Sequence, residues 1–574
     1  MAIGRLSKML GGLGLLLGTV AAGRLDEVAR RGGFTEAGLR DMERRVRGLD
    51  ERTTSSRRYY NDKTKDYFVE SLPEIPDSFL TEMYSGLIHI NESEPDRGLF
   101  FVFQPRIGDP VDEIVIWMNG GPGCSSLEGF FQETGYISWG WGQYAPEINP
   151  YGWPTLSNVL WVEQPVGTGF STGTPTATNE DDIAADFVEF FKRFEDLFGI
   201  QNYEIYVTGE SYAGRYVPYI ANAMLDKKDD CYFNVSGILA YDPCIGAFDY
   251  QNDVYTLPFI QENNNVLNYN ASYLKQVAQA DEACGYAEYR RDWMQFPPSD
   301  HQPAHYPDNA TAAECGLWNS AYNEAWHPNP CFNVYEIGLQ CPLLSDPLGF
   351  PTDLQFVSPG LPVYFNRTDV KKAMHAPMNV SWDECNGGVF LADDGNGGGP
   401  GSGGPESYGD TSPDPIQGVL PRVIEATNRV LISNGDLGKI GGVLPCDTRT
   451  ADALILFRHG DPDQRHPAGD PEHDVFQKRP SKPINIKLPD LMYNQTFYDN
   501  GDAGMEEPQG YMGVQHYERG LMWAETKLSG HSKSPRYQGR CDAPANLRCV
   551  VQPQFQPRST FRHLQWLLRR IDTL

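Results

Sequence analysis

The sequence predicts an α/β fold: a mostly parallel central sheet, helices on both faces and an inserted cap region. Three observations carry this. Short apolar runs of strand length alternate with longer amphipathic stretches of helical spacing. A serine sits on a tight turn between one such run and a helical one, in Gly209-Glu210-Ser211-Tyr212-Ala213-Gly214. A glycine-rich turn, Asn119-Gly120-Gly121-Pro122-Gly123, directly follows another strand-like run.

The elements follow in chain order. Residues 1–22 read as a signal peptide, with Arg5 and Lys8 as a basic start, an apolar run from Met9 to Val20, and small residues at Ala21-Ala22 for cleavage. The run is too short to span a membrane. No later run is long and apolar enough, so the mature form is expected to have no membrane partner. Residues 23–60 are rich in arginine and acids and read as a pro-segment or disordered arm, with Arg57-Arg58 as a candidate processing site. Residues 61–245 are expected to form the first part of the core, with order beginning near Tyr84. Strand patterns occupy Tyr84–Ile90, Leu99–Phe103, Ile114–Met118, Val159–Val162, Tyr203–Thr208 and Ile238–Tyr241. A helix is expected over Asp182–Phe198, whose apolar residues Ile183, Phe187, Phe190, Phe191, Phe194 and Phe198 share one face. A second is expected from Tyr212 to Met224.

Residues 246–384 hold four of the cysteines, several Trp and Tyr and few clean strands, and read as a cap over the active edge of the sheet. Residues 385–415 read as a Gly/Pro-rich flexible loop. Residues 416–574 supply the second part of the core, with strand patterns at Val430–Ser433 and Leu521–Leu528 and a helix from Ser559 to Ile571.

The chain has 574 residues and a net charge of −29, which argues against a nucleic-acid partner. None of its 11 cysteines forms a Cys-x-x-Cys pair, and His459, His466 and His473 match no compact zinc spacing. No metal and no cofactor is therefore expected. The odd cysteine count leaves at least one thiol unpaired within the chain. Glycosylation sequons begin at Asn91, Asn234, Asn270, Asn309, Asn366, Asn379 and Asn494. With the signal peptide they imply a secretory route, ending outside the cell or in a vacuole.

A serine on a strand-to-helix turn with small neighbours is the nucleophile elbow of the α/β-hydrolase fold. Small residues are needed because the backbone at the serine is strained and closely packed. The pattern here is G-x-S-x-A. Such a serine needs a base, a group that orients the base, and an oxyanion site. In this fold the order along the chain is serine, acid, histidine, each on a loop after a strand. His531 follows the Leu521–Leu528 run behind Gly530 and is the expected base. The glycine-rich turn can aim several N–H groups at one point, as an oxyanion site requires. It lacks the lysine of a phosphate-binding loop.

Three motifs add a resemblance: Trp117-Met-Asn-Gly-Gly-Pro-Gly-Cys-Ser-Ser126, Leu160-Trp-Val-Glu-Gln-Pro-Val-Gly-Thr-Gly-Phe-Ser171 and Gly209-Glu-Ser-Tyr-Ala-Gly-Arg-Tyr-Val-Pro218. In this order they resemble the serine carboxypeptidase family, above all its fungal secreted or vacuolar members. The resemblance implies Ser211 as nucleophile, His531 as base, and the N–H groups of Gly121 and Tyr212 as oxyanion donors. It implies that Asn119, Gly120, Glu133 and Glu210, flanked by Trp117, grip the substrate's terminal carboxylate. It also implies a Cys124–Cys385 disulfide. Glu133 and Glu210 would crowd negative charge against that carboxylate, so at least one must be protonated. The implied activity is removal of C-terminal residues from peptides or proteins through an acyl-enzyme on Ser211, favoured at acidic pH. Two other readings share the scaffold: a relative that only binds peptide C-termini, and an acyltransferase.

The chain departs from the family at the acid. The family's second aspartate of Gly-Asp-x-Asp falls on Gly438 here, and Asp436 is the nearest carboxylate, displaced by two residues. The stretches 437–475 and 532–550 are also foreign to the family. Translated non-coding or frame-shifted sequence, an inactive relative, and an enzyme that takes its acid from elsewhere all account for this.

Overall fold

The computed structural model describes residues 57–140, 143–149, 151–245, 248–293, 315–334, 337–338, 341, 346–348, 362–391, 409–435, 482–487, 506–514, 521–526 and 557–570. Arg57–Asn485 together with Pro508–Leu574 forms one compact unit, which holds the site described below. Its strands are β1 (Tyr84–His89), β2 (Gly98–Gln104), β3 (Glu113–Met118), the short β4 (Ile137–Ser138) and β5 (Glu147–Ile148), β6 (Asn158–Glu163), β7 (Glu204–Glu210), β8 (Val235–Tyr241) and β9 (Val430–Gly435). Three more follow: β10 (Lys482–Lys487), β11 (Glu506–Val514) and β12 (Leu521–Thr526). The main sheet runs β1-β2-β6-β3-β7-β8-β9-β12-β11-β10. From β6 through β12 every neighbouring pair is parallel, while β1, β2 and β11 join antiparallel.

Strands buried on both faces need apolar residues at nearly every position. β2 and β3 are buried throughout. Successive side chains point to opposite faces, and two separate cores result. Leu99, Phe101, Phe103, Ile114, Ile116 and Met118 pack on one side; Phe100, Val102, Val115 and Trp117 pack on the other.

The first face is covered by α1 (Glu180–Phe198) and α2 (Ala213–Lys227). Asn179 caps α1 by accepting from the Asp182 N–H at 2.9 Å, three acids fill its first turn, and Gly199 ends it at φ +69°. Its phenylalanine stripe is buried as the spacing predicts. The cap contains α3 (Phe248–Leu267), α4 (Ala271–Ala283), α5 (Tyr286–Trp293) and α6 (Leu317–Ala325). These helices share their own apolar core and carry the Cys284–Cys315 disulfide. A further disulfide, Cys331–Cys341, follows them. Then come α7 (Val419–Thr427) and α8 (Pro557–Leu567), the latter packing Leu564 and Leu567 on the second face.

Three expected boundaries are corrected. Packed structure extends N-terminal to Tyr84: the Arg58 and Tyr59 N–H groups donate to the Glu82 carboxylate at 2.9 and 2.8 Å, and the Tyr59 hydroxyl meets Tyr203. The cap ends well before residue 384: Leu348, Tyr364, Phe365 and Trp382 belong to the core of the second face. Within the expected flexible loop 385–415, Val389, Phe390 and Asp410 are buried, and residues 392–408 lie outside the described residues.

Among the sequons, Asn91, Asn270 and Asn379 are exposed, Asn234 is half-buried, and Asn309 and Asn494 lie outside the described residues. Asn366 is different. Its side-chain amide donates to the Trp382 carbonyl at 2.6 Å and accepts the Trp382 N–H at 2.7 Å. A glycan would replace one hydrogen of this half-buried, doubly bonded amide with a bulky sugar. Peptide mapping should find Asn366 less occupied than the exposed Asn91 and Asn379; equal occupancy would overturn this expectation.

Candidate active site

β7 passes into α2 through Ser211 and Tyr212 alone. Ser211 sits at φ +62°, a left-handed conformation uncommon for a residue with a side chain. Three backbone bonds hold it there. Its N–H donates to the Tyr241 carbonyl at 2.8 Å, and its own carbonyl accepts from Gly214 at 2.8 Å and Cys244 at 2.9 Å. A methyl added at Gly209 would lie 2.5 Å from the Met118 carbonyl oxygen and 2.6 Å from the Ala213 methyl. The glycine at 209 is therefore what leaves room for alanine at 213.

The glycine-rich turn lies directly against this elbow. A Cβ on Gly120 would fall 2.4 Å from the Tyr212 nitrogen and 2.8 Å from the Ser211 Cβ. Gly121 adopts φ +110° and Gly123 φ +84°. The turn is tied from outside by the Cys124–Cys385 disulfide, by the Ser125 N–H on the Glu384 carbonyl at 2.7 Å, and by the Asn386 N–H on the Gly123 carbonyl at 2.9 Å. The disulfide implied by the resemblance thus forms.

Beside the elbow, the Trp117 indole donates to Asn119 Oδ1 at 2.8 Å. That fixes the amide so that its Nδ2 donates to Glu210 Oε1 at 3.0 Å. Glu133 and Glu210 are both buried. Burial pushes the Glu210 carboxyl well above the ordinary range; the charges of Glu133 and Glu128, the hydrogen bond with Glu133 and the charge of Asp242 push the same way. Two buried carboxyls in contact hold a proton between them. The sequence reading found Glu133 and Glu210 but missed Glu128 and Asp242. Asp242 follows β8 and takes φ +42° with its side chain buried.

β7, β8, β9 and β12 are consecutive parallel strands, so their C-terminal ends share one edge of the sheet. Glu210 pairs with Tyr241, Tyr241 with Ser433, and Gly435 with Thr526. Ser211 follows β7 on this edge. In the chain, Asp436 follows β9 and His531 comes soon after β12. Asp436, Gly438 and His531 lie outside the described residues. The structure therefore gathers Ser211, Tyr212, Trp117, Asn119, Gly120, Gly121, Glu133 and Glu210.

The family described as "Serine carboxypeptidase" matches residues 73–444. The chain belongs to the serine carboxypeptidase family. It is 50% identical over 522 residues to "Serine-type carboxypeptidase F" of Aspergillus niger, covering 90% of this chain and 89% of that protein. It is 34% identical to a "Probable serine carboxypeptidase" of Arthroderma benhamiae, with 92% and 90% covered. The crystal structure of a prohormone-processing carboxypeptidase from Saccharomyces cerevisiae shares the fold, with a TM-score of 0.56 at 22% identity, covering 82% of this chain and 92% of that one. The family match ends at residue 444, close to the break expected after Asp436.

In this serine carboxypeptidase relative a buried polar network backs the first turn of α2. The Tyr212 hydroxyl and Arg215 Nε each donate to Asp410 Oδ2 at 2.7 Å, and Arg215 also reaches the Ser412 carbonyl at 2.8 Å. The ion pair is fully enclosed. Removing one partner would strand the other charge, at a cost of about 3–5 kcal/mol. Asp410 carried no signal in the sequence, because it ends a Gly/Pro-rich stretch read as loop. Glu180 is packed against the same network, and burial followed by the Asp410 charge holds its carboxyl well above the usual range.

A third acid, Glu163 at the end of β6, is fully buried, and burial lifts it to about 7. Such acids hold their protons more tightly folded than unfolded, where an ordinary glutamate sits at 4.5. Their contribution to stability is complete below the unfolded value and is lost as pH rises through the raised one. For Glu163 alone this amounts to roughly 3 kcal/mol between about pH 4.5 and 7. Thermal unfolding should show its midpoint falling across that interval. A midpoint that climbs there would contradict protonated acids in the native core.

Proposed function

We propose that this chain is a serine-type carboxypeptidase that releases C-terminal amino acids from peptides or proteins in the secretory pathway, outside the cell or in a vacuole. The observation that carries this is the buried Glu133–Glu210 pair one residue from the elbow serine. A generic hydrolase has no use for a protonated carboxyl pair there. A carboxypeptidase does, because the substrate's terminal carboxylate must meet hydrogen-bond donors rather than negative charge.

Ser211 Oγ attacks the scissile carbonyl carbon while His531 takes its proton. The negative oxygen of the tetrahedral adduct is held by the N–H groups of Gly121 and Tyr212. The C–N bond then breaks, His531 returns the proton to the leaving amine, and the terminal amino acid departs. Water, deprotonated by His531, attacks the acyl-enzyme and regenerates Ser211. Asn119, the Gly120 backbone and the carboxyl pair, steadied by Trp117, grip the terminal carboxylate.

The raised Glu210 gives the pH dependence its sign. The pair holds its proton at acidic pH and loses it as pH rises, when it repels the substrate. KM for a peptide with a free C-terminus should therefore climb with pH. KM for the same peptide with an amidated terminus should stay nearly flat. Parallel profiles for the two would remove the carboxylate grip from the reading.

Gly438 at the family's acid position favours a second reading, in which peptide termini are bound and cleavage is very slow. Asp436 is the nearest carboxylate in sequence. An orienting acid contributes about 10⁴ in turnover. Gly438→Asp should raise kcat by more than about tenfold, toward that figure. An unchanged kcat would mean that Asp436 or another carboxylate already orients the base.

A further inference from the structure

The motif Leu160–Ser171 carries a buried acid with no part in the reaction outlined above. Glu163 ends β6 directly beneath the glycine-rich turn. One carboxylate oxygen, Oε1, accepts from the Ser125 hydroxyl and from the Trp382 indole N–H at 3.2 Å. The other, Oε2, accepts the Phe170 N–H. Its main-chain carbonyl accepts the Ser171 hydroxyl, which in turn accepts the Phe100 N–H at 2.8 Å. Gly169, at φ +51°, opens the space: a Cβ there would lie 2.0 Å from Glu163 Oε1.

The contacts run onward into the turn. Ser125 Oγ also accepts the Trp382 indole N–H at 3.0 Å and the Leu127 N–H at 3.2 Å. The Ser125 N–H is bound to Glu384, next to the Cys124–Cys385 bridge. The residue before Glu163 does the parallel task, since the Val162 carbonyl accepts the Ser126 hydroxyl at 2.6 Å and Ser126 Oγ accepts the Asn119 N–H at 3.1 Å. The Cys124 N–H closes the turn on the Gly120 carbonyl at 3.0 Å. The end of β6 thus grips both flanks of the Gly120–Gly123 segment from below.

We propose that Glu163 is a positioning residue for the reaction: its carboxyl fixes Ser125 and Trp382, and through them sets the Gly121 N–H against the oxyanion. This rests on the reading of Gly121 and Tyr212 as oxyanion donors to a Ser211 adduct. A buried acid is costly unless its hydrogen bonds repay it. The carboxyl accepts the Trp382 and Phe170 N–H groups on separate oxygens and also meets the Ser125 hydroxyl. Glutamine copies the protonated form, with its carbonyl taking the Phe170 N–H and its NH₂ donating to Ser125 Oγ. Alanine copies nothing.

The test uses the full chain, peptide kinetics, melting curves and the rate at which a serine-directed phosphonylating reagent labels Ser211. Loss of one oxyanion donor costs about 10²–10³ in turnover. Glu163→Ala should lower kcat by about 100-fold and slow labelling in parallel, with KM within about threefold because the carboxylate grip is untouched. Glu163→Gln should recover most of kcat. A role in folding alone predicts a lower melting midpoint with native kcat per folded molecule, and that result overturns the proposal. So does a Gln variant as impaired as Ala. If Glu163→Ala does not fold, Ser125→Ala should still lower kcat by about tenfold at constant KM, and an unchanged kcat overturns the proposal. A native protein that resists labelling at Ser211 defeats the nucleophile reading itself. Equal labelling of the native and Glu163→Ala proteins defeats only the role of Glu163.

Discussion

The site depends on one close approach. The backbone of Gly120 lies so near the Tyr212 nitrogen and the Ser211 Cβ that no side chain could stand between them. That contact brings two turns from different strands, β3 and β7, to a single point on the edge of the sheet. The strained φ of Ser211 turns its side chain out of the strand at that point. The strain is held by backbone bonds from β8 and from the first turn of α2. A rigid parallel sheet supplies the fixed ends from which such turns can be aimed.

Around this contact the protein buries an unusual number of acids. Glu163 lies under the glycine turn, Glu133 and Glu210 lie beside it, and Glu180 lies behind α2. Desolvation drives Glu163, Glu180 and Glu210 toward the neutral form. Neutral carboxyls serve as hydrogen-bond donors, which ionised ones cannot. A chain with a net charge of −29 also repels itself less as its surface acids are protonated. Stability and the proposed grip on a carboxylate therefore point to the same acidic conditions. Asp410 differs from these acids: it meets a guanidinium in the interior and forms an ion pair that locks Tyr212 and Arg215 together.

The long insertions are held to the sheet by local means. The cap helices bury their own apolar core and carry a disulfide. The segment around Trp382 turns back into the second face and contributes an indole N–H to Glu163 and Ser125. Cys385, a few residues on, closes the bridge to Cys124. The proposed oxyanion turn is thus supported from beneath by β6 and from outside by a segment more than two hundred residues away in the chain.

Periodicity, composition and turn chemistry act over a few residues, and they determined β1, β2, β3, β6, β7, β8, β9 and β12, the α1 stripe, the serine elbow and the glycine turn. Local turn chemistry pointed to Ser211 and to the glycine-rich turn, whereas the roles of Gly121, Glu133 and Glu210 came from the resemblance to serine carboxypeptidases. Tertiary structure alone decided the rest. Asp410 falls within the stretch read as a Gly/Pro loop, Glu128 and Asp242 belong to no motif, and Asn366 reads as a glycan acceptor. Their roles arise from neighbours 16 to nearly 200 residues distant: Trp382 beside Asn366, Tyr212 and Arg215 beside Asp410. Whether a carboxyl is charged, paired or protonated depends on what surrounds it after folding, and a linear pattern carries no record of that.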